Sequence, residues 1–410
     1  MNALLYLAEA FLIAFIMKLV VSKLRIPSVS GYVLGGVILG GSLFFWIPGG
    51  RTFAEQWLFS EKVLTDFNVI NEIALGLIAL SIGVELEWKR IQSLGRSIFF
   101  IAVFEAVASF ILVSSVTYIL WKDVSQSLIF GAISSATAPA ATVAVIQQYK
   151  AKGPLTRTIL AVVGLDDAIS FILFAFSLAL VKSLMMGQNV DIIHGLVGPV
   201  IEIIVSLSIG AIIGLITVKL IIMTKDQDLL VFLLGGVILA VAGLAASFHV
   251  SELLANMACG IVIVNTYPVV RNKIRTGFNS FLPIFYALFF IMGGAHLNVN
   301  SLPAVWIIAV VYFTCRSIGK ISGAFIGAYA GHAPPEVRSY VGLTLLPQVG
   351  AAVALALVVQ SEFGSGAYGD GGIEFGRKII NVLLITTIIT EFVGPYMTKY
   401  SLFRAGEARE

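Results

Sequence analysis

SSATAPAATVAV, Ser134 to Val145, sets a proline in the middle of an otherwise apolar run. LTLLPQVGAAVAL, Leu343 to Leu355, does the same with Pro347 and adds Gly350. Proline removes a backbone donor and clashes with the preceding turn, and in lipid the freed carbonyls must find other partners. One such proline reads as a simple kink. Two, each among small or polar residues (Ser134, Ser135, Thr137; Gln348, Gly350), read as crowded, unwound peptides.

The surrounding chain decides that these runs lie in lipid. Of its 410 residues 58% are hydrophobic and 12% charged, where a soluble domain carries roughly a quarter charged residues. The apolar residues fall in blocks of about 20, the length that crosses a bilayer. The fold class is therefore an all-α polytopic membrane protein. Charges, prolines and glycines divide it into about thirteen spans: 2–22, 28–47, 65–84, 97–121, 126–148, 157–182, 195–223, 228–248, 251–268, 279–297, 302–330, 338–360 and 377–400. RTFAEQWLFSEK, 51–62, mixes charge with Phe and Trp and suits a short interfacial helix. Asn2–Val21 lacks a charged n-region and a small-x-small cleavage site, so it is expected to remain as the first span. No soluble domain is expected after the last span. Cys259 and Cys315 both sit in apolar runs and are expected as unconnected core thiols. A net charge of +3 is too small to suggest nucleic acid as a partner.

Cations crowd the loops after odd-numbered spans (Lys23 and Arg25; Lys89, Arg90 and Arg96; Lys150, Lys152 and Arg157; Arg271, Lys273 and Arg275) and are sparse after even-numbered ones. The positive-inside rule then places the N-terminus outside and the C-terminus in the cytoplasm. The two proline breaks lie seven spans apart, so their helices run in opposite directions. That pattern fits an inverted repeat with two discontinuous helices at its centre, the plan of many secondary transporters. Half-helix ends would bring partial charges to a bound ion.

Mid-span charges cost several kcal/mol each, with the magnitude contested. The candidates are Lys18, Glu105, Asp166, Asp167, Glu202, Arg316 and Lys320. Lys18 and Glu202 are close enough to span ends to snorkel, and Glu252 at a span edge is expected to face water or an interface. Asp166 and Asp167, in GLDDAIS, lie roughly 14 Å from the inner end of their span at 1.5 Å per residue. Thr137 to Ala140, Pro347 and Lys320 fall at a similar depth, with Arg316 one turn deeper. Adjacent helical residues point about 100° apart, so one cation cannot serve both aspartates. The reading assigns Asp166 to Lys320, with Arg316 as the other possible partner, and sets Asp167 in a cavity beside the unwound Thr137–Ala138 peptide. Desolvation favours the protonated carboxyl and a nearby cation the carboxylate, so a proton there can be traded for a hard cation that takes oxygen ligands. Glu105 would line the cavity or bond to unwound backbone.

The chain resembles the monovalent cation:proton antiporter superfamily, specifically the bacterial sodium or potassium/proton branch related to the Kef-type transporters. LRIPSVSGYVLGGVILG (24–40) and IALGLIALSIGVELE (73–87) are similar to its second and third spans, and LPIFYALFFIMGGAHLNV (282–299) to the span before the cationic helix. ATAPAATVAV and LLPQVGAAVAL resemble its two crossing, unwound helices, and GLDDAIS carries the most specific match. The resemblance implies that Asp167 holds the ion or proton, with Ser135, Thr137 and Ala138 near it, and that Asp166 pairs with a lysine, here Lys320. Gln348 and Glu105 are further polar candidates in the core. The double aspartate implies electrogenic exchange, two protons per sodium ion. CRSIGKISGA leaves both Arg316 and Lys320 open as the family's partner.

The family fold implies a dimer domain from 1–94 (helices 1–3) and 226–300 (helices 8–10). It implies a core from 95–185 (helices 4–6) and 301–410 (helices 11–13), joined by linker helix 7 at 186–225. Expected partners are protons, sodium, lithium or potassium ions, lipid and a second copy of the chain in the inner membrane; no cofactor and no enzymatic activity are expected. The glycines at 31, 35, 36, 40 and 41 would let span two pack closely. Two other readings differ in class. A cation channel would need a pore lined by carbonyls or a carboxylate ring. An intramembrane aspartyl protease would need two carboxylates from different helices converging on one water.

Overall fold

The computed structural model describes residues 3–24, 28–41, 58–59, 67–89, 95–185, 192–224, 226–248, 250–295, 302–364 and 368–408. The stretch 51–62, expected as an interfacial helix, lies outside them apart from Leu58 and Phe59. Fifteen helices carry the described chain: α1 (Ala3–Leu24), α2 (Ser28–Leu39), α3 (Asn68–Glu85), α4 (Arg96–Trp121), α5 (Val124–Ser134), α6 (Pro139–Gln148), α7 (Pro154–Met185), α8 (Ile192–Met223), α9 (Gln227–Ser247), α10 (Glu252–Thr266), α11 (Val270–Ala295), α12 (Leu302–Ala330), α13 (Pro335–Thr344), α14 (Gly350–Gly364) and α15 (Gly369–Arg404). They correspond to the thirteen expected spans because spans five and twelve are each split in two, as α5–α6 and α13–α14.

Seven helices (α1, α4, α7, α8, α9, α12 and α15) are long and apolar enough to cross a membrane by themselves, and shorter apolar helices accompany them. Exposed apolar side chains such as Phe15 on α1, Ile111 on α4 and Phe232 on α9 suit a lipid surround. Both cysteines are free and buried. Two boundaries differ clearly from expectation. α11 begins at Val270, not near 279, and α15 at Gly369, not near 377. In α11 the cations Arg271 and Lys273, and in α15 the carboxylates Asp370 and Glu374, mark polar helical turns outside the apolar window.

The chain divides into two compact units. One comprises Met1–Asn68, Arg96–Ser170 and Ala287–Glu410; the other comprises Val69–Gly95 and Phe171–Tyr286. In the second unit Leu77, Leu80, Leu234, Ile238, Cys259 and Ile263 build one core. Glu202, expected to snorkel alone, forms an ion pair with Lys182 at 3.7 Å there. Lys18, on α1, is exposed.

In the first unit the decisive packing is α12 on α4. Gly319, Gly323, Gly327 and Gly331 recur every fourth residue, so they share one face. A Cβ at any of them would fall 2.4–2.6 Å from α4 atoms: Ser109 Cα, Phe104 O, Phe100 O and Ser97 Cα. Only hydrogen fits. The two helices therefore meet backbone to backbone, as small-residue stripes permit in lipid. In span two, Gly36 and Gly40 meet the α11 backbone at Ile291 and Ala295, whereas Gly31 and Gly35 meet α1 side chains. Gly323→Leu should push α12 off α4 and lower the melting temperature in detergent, since overpacking costs about 1–3 kcal/mol. An unchanged melting temperature would contradict this account of the contact.

Candidate functional site

The breaks fall where the prolines put them. α5 ends at Ser134, Ser135–Ala138 leave the helix, and Pro139 opens α6, a position where its missing N–H costs nothing. α13 ends at Thr344, and the chain stays unwound through Pro347 until Gly350 opens α14. The two unwound peptides satisfy each other. Ala138 N donates to Pro347 O at 2.8 Å, Gln348 Nε2 to Ile133 O at 2.9 Å, and Thr142 Oγ1 to Thr344 O at 2.9 Å. α15 closes over the crossing: Gly394 lies against the Pro347 ring, and Thr390 Oγ1 donates to Gln348 O at 3.2 Å.

Tyr312, Arg316 and Lys320 follow one another at four-residue spacing and form one stripe of α12 facing this crossing, all three fully buried. Arg316 Nη1 donates to Leu346 O at 2.7 Å and Nη2 to Ala136 O at 2.8 Å. Those carbonyls belong to the two unwound peptides, just beyond the C-terminal ends of α13 and α5, where helix dipoles concentrate negative partial charge. The planar fork of arginine can reach two divergent acceptors at once. Arg316 is thus the shared cap of both broken helices. Tyr312 receives Gln348 Nε2 at 2.8 Å on its hydroxyl.

Lys320 has different company. Its Nζ lies 2.5 Å from Glu105 Oε2 and 3.2 Å from Asp166 Oδ2. It also donates to Thr137 Oγ1 at 2.8 Å and to Ser135 O. The three N–H donors of Lys320 thus serve Asp166, Thr137 and Ser135, while Glu105 on α4 adds a close ion pair. The glycine stripe of α12 brings Glu105 within reach, because Gly323 sits directly over the Glu105 Cα. Glu105 neither stands alone in a cavity nor bonds to unwound backbone; it is a second counter-ion for Lys320.

Asp167 points elsewhere. It is half-buried, and its Oδ1 is buried with no hydrogen-bond partner among the described residues. Gly164, one turn earlier on α7, is exposed, and a Cβ there would meet nothing within 4 Å. The α7 surface one turn before this carboxylate is thus open. Ser135 O and the Thr137 hydroxyl are bonded to Lys320, and the Ala138 amide is bonded to Pro347. The arrangement contains one cluster in which two carboxylates (Asp166, Glu105) share a single ammonium (Lys320), one backbone-capping cation (Arg316) and one carboxylate with an unpartnered oxygen (Asp167).

Two buried carboxylates from different helices do converge, as an aspartyl protease would need, but they converge on the Lys320 ammonium instead of a water. The sequence profile described as "Sodium/hydrogen exchanger, transmembrane" matches residues 11–404. The chain belongs to this family. The exchanger is accordingly a multi-pass membrane cation:proton antiporter, and its family and structural neighbours are transporters, not enzymes. Among curated proteins it is 23% identical to the ammonium/H+ antiporter subunit AmhT of Alkalihalophilus pseudofirmus over 344 residues, 82% of this chain and 80% of the relative. The sodium proton antiporter MjNhaP1 of Methanocaldococcus jannaschii, solved at pH 8, shares its fold with a TM-score of 0.75 at 17% identity, covering 98% of each chain. An electron-microscopy map of the same protein matches with a TM-score of 0.70 at 17% identity, over 100% of this chain and 99% of that one.

Sequence reasoning passed over several buried or helix-capping residues of the exchanger. Tyr312 was visible only as one turn before Arg316, a spacing that would have flagged it. Glu391 is buried on α15, and its charge inside an apolar stretch was a signal of the kind that singled out Glu105. Glu407, in a polar tail, carries no such signal.

Proposed function

We propose that Asp167 binds either a monovalent cation or a proton, never both, and that alternating access carries whichever is bound across the inner membrane. One observation supports this most: Asp167 keeps a buried, unpartnered carboxylate oxygen one turn from an open stretch of the α7 surface, while its neighbour Asp166 is already paired with Lys320. Competition for one carboxylate couples the two fluxes without any covalent step, and the oxygens of Asp167 suit a hard cation. No cofactor enters this scheme. Sodium is the favoured cargo, with lithium and potassium as alternatives; the name of the AmhT relative adds ammonium to the cations worth testing.

The paired aspartates with Lys320 support electrogenic exchange, and Glu105 enters the same charge balance because it shares the ammonium. Helices 1–3 and 8–10 of the thirteen-span scheme would form a dimer domain and helices 4–6 and 11–13 the moving core, with the N-terminus outside and the C-terminus in the cytoplasm. Such a protein would serve pH homeostasis as a homodimer embedded in lipid. The test is flux in proteoliposomes with sodium, lithium, potassium and ammonium in turn, with and without an imposed voltage. The account expects proton flux that depends on sodium and responds to voltage. Proton flux indifferent to every cation would overturn it, and single-channel currents under voltage clamp would point to a channel.

A further inference from the structure

The helix that carries Asp166 and Asp167 starts at Pro154 with glycine, Gly153, in front of it. Glycine has no side chain to cap the first amides, and α-helices leave those donors without internal partners. Here the partner comes from the far end of the chain. Glu407 Oε1 accepts from Leu155 N at 2.6 Å, and Oε2 accepts from Thr156 N at 2.7 Å and Thr156 Oγ1 at 2.7 Å. Lys152 N donates to Glu407 O at 3.0 Å. A Cβ on Gly153 would fall 2.2 Å from Glu407 Cδ, so only glycine leaves room for the carboxylate.

The tail is built to deliver this group. Gly406 takes a positive φ of 71°, its N–H donates to Phe403 O at 3.1 Å, and Glu407 N donates to Leu402 O at 3.0 Å. That is a Schellman turn closing α15, and it places Glu407 against the start of α7. A second fastening lies beside it: the Tyr149 and Phe403 rings meet edge to face at 5.2 Å, with Lys399 Nζ 5.1 Å from the Tyr149 ring.

We propose that Glu407 is a positioning residue, a cap supplied in trans that fixes the inner end of α7 and through it the placement of Asp167 at the crossing. An anion at N2 and N3 of a helix satisfies two donors and complements the dipole at once, and about ten residues of rigid helix, roughly 15 Å, separate this anchor from Asp166. The clamp also joins the two halves of the repeat, since α7 belongs to the first and α15 to the second.

The proposal rests on the antiport reading and is tested with Glu407→Ala and Glu407→Gln in the full chain. Removing a cap of this kind should speed amide hydrogen exchange at Leu155 and Thr156 about fivefold or more. It should also raise the half-saturating concentration of the best-transported cation by up to about fivefold at a nearly constant maximal rate. Glu407→Gln, which keeps one acceptor oxygen, should fall between the two. Unchanged amide exchange in Glu407→Ala would overturn the cap. Faster exchange with unchanged cation saturation would overturn the positioning role. Absence of cation-dependent flux in the unaltered protein would instead overturn the antiport reading, and the amide-exchange result is read independently of it.

Discussion

Asp167→Asn should abolish cation-dependent proton flux in proteoliposomes, down to the level of protein-free vesicles. Asparagine matches the shape of aspartate but can neither hold a negative charge nor trade a proton for a cation. The loss should not come from misfolding. No hydrogen bond ends on Asp167 Oδ1, so the substitution removes no structural partner, and neutralising an unpaired, partly buried carboxylate relieves a desolvation cost. The melting temperature should therefore hold or rise while flux disappears. Retained flux, or flux lost together with the fold, would sink the assignment.

Lys320→Met should have the largest effect on stability. Lys320 and both of its carboxylate partners are fully buried, and removing one member of a buried ion pair leaves an uncompensated charge, typically at a cost of about 3–5 kcal/mol. Here two carboxylates are orphaned together, along with Ser135 O, and the Thr137 hydroxyl loses its donor. Adding Glu105→Gln to Lys320→Met should recover part of the loss, because one of the stranded charges is then gone; residues that share a network couple in this way. A melting temperature that ignores Lys320→Met, or a double variant no more stable than the single one, would show that the cluster is not held by charge.

Much of this centre was legible before any coordinates, and the reason is the solvent. Lipid makes unwound backbone and buried charge expensive, so Pro139, Pro347, the aspartate pair and Lys320 each stand out against an apolar background. Arithmetic along a helix then sufficed to bring Asp166, Lys320 and the breaks to one depth. What arithmetic along single helices cannot supply is the register between helices. Glu105 meets Lys320 because the glycine stripe running from Gly319 to Gly331 lets two backbones touch, and such a stripe has that meaning only once its facing helix is known. The division of labour between the two cations was hidden for the same reason. One turn of helix separates Arg316 from Lys320, yet one caps two carbonyls and the other is shared between two carboxylates. Glu407 was beyond reach, being an ordinary charge in a polar tail whose partner lies some 250 residues earlier. The misplaced starts of α11 and α15 share one cause: polar first turns that project beyond an apolar window look like loop.

If a proton and a cation compete for one carboxylate, the pH dependence of cation saturation reveals it. Flux into proteoliposomes should be measured against cation concentration at a series of pH values. Simple competition by a single proton predicts that, in the acidic range, each unit fall in pH raises the half-saturating cation concentration about tenfold, while the maximal rate at saturating cation is restored. A half-saturating concentration that stays constant as the pH falls, with the maximal rate declining instead, would mean that proton and cation occupy separate sites and would contradict the account.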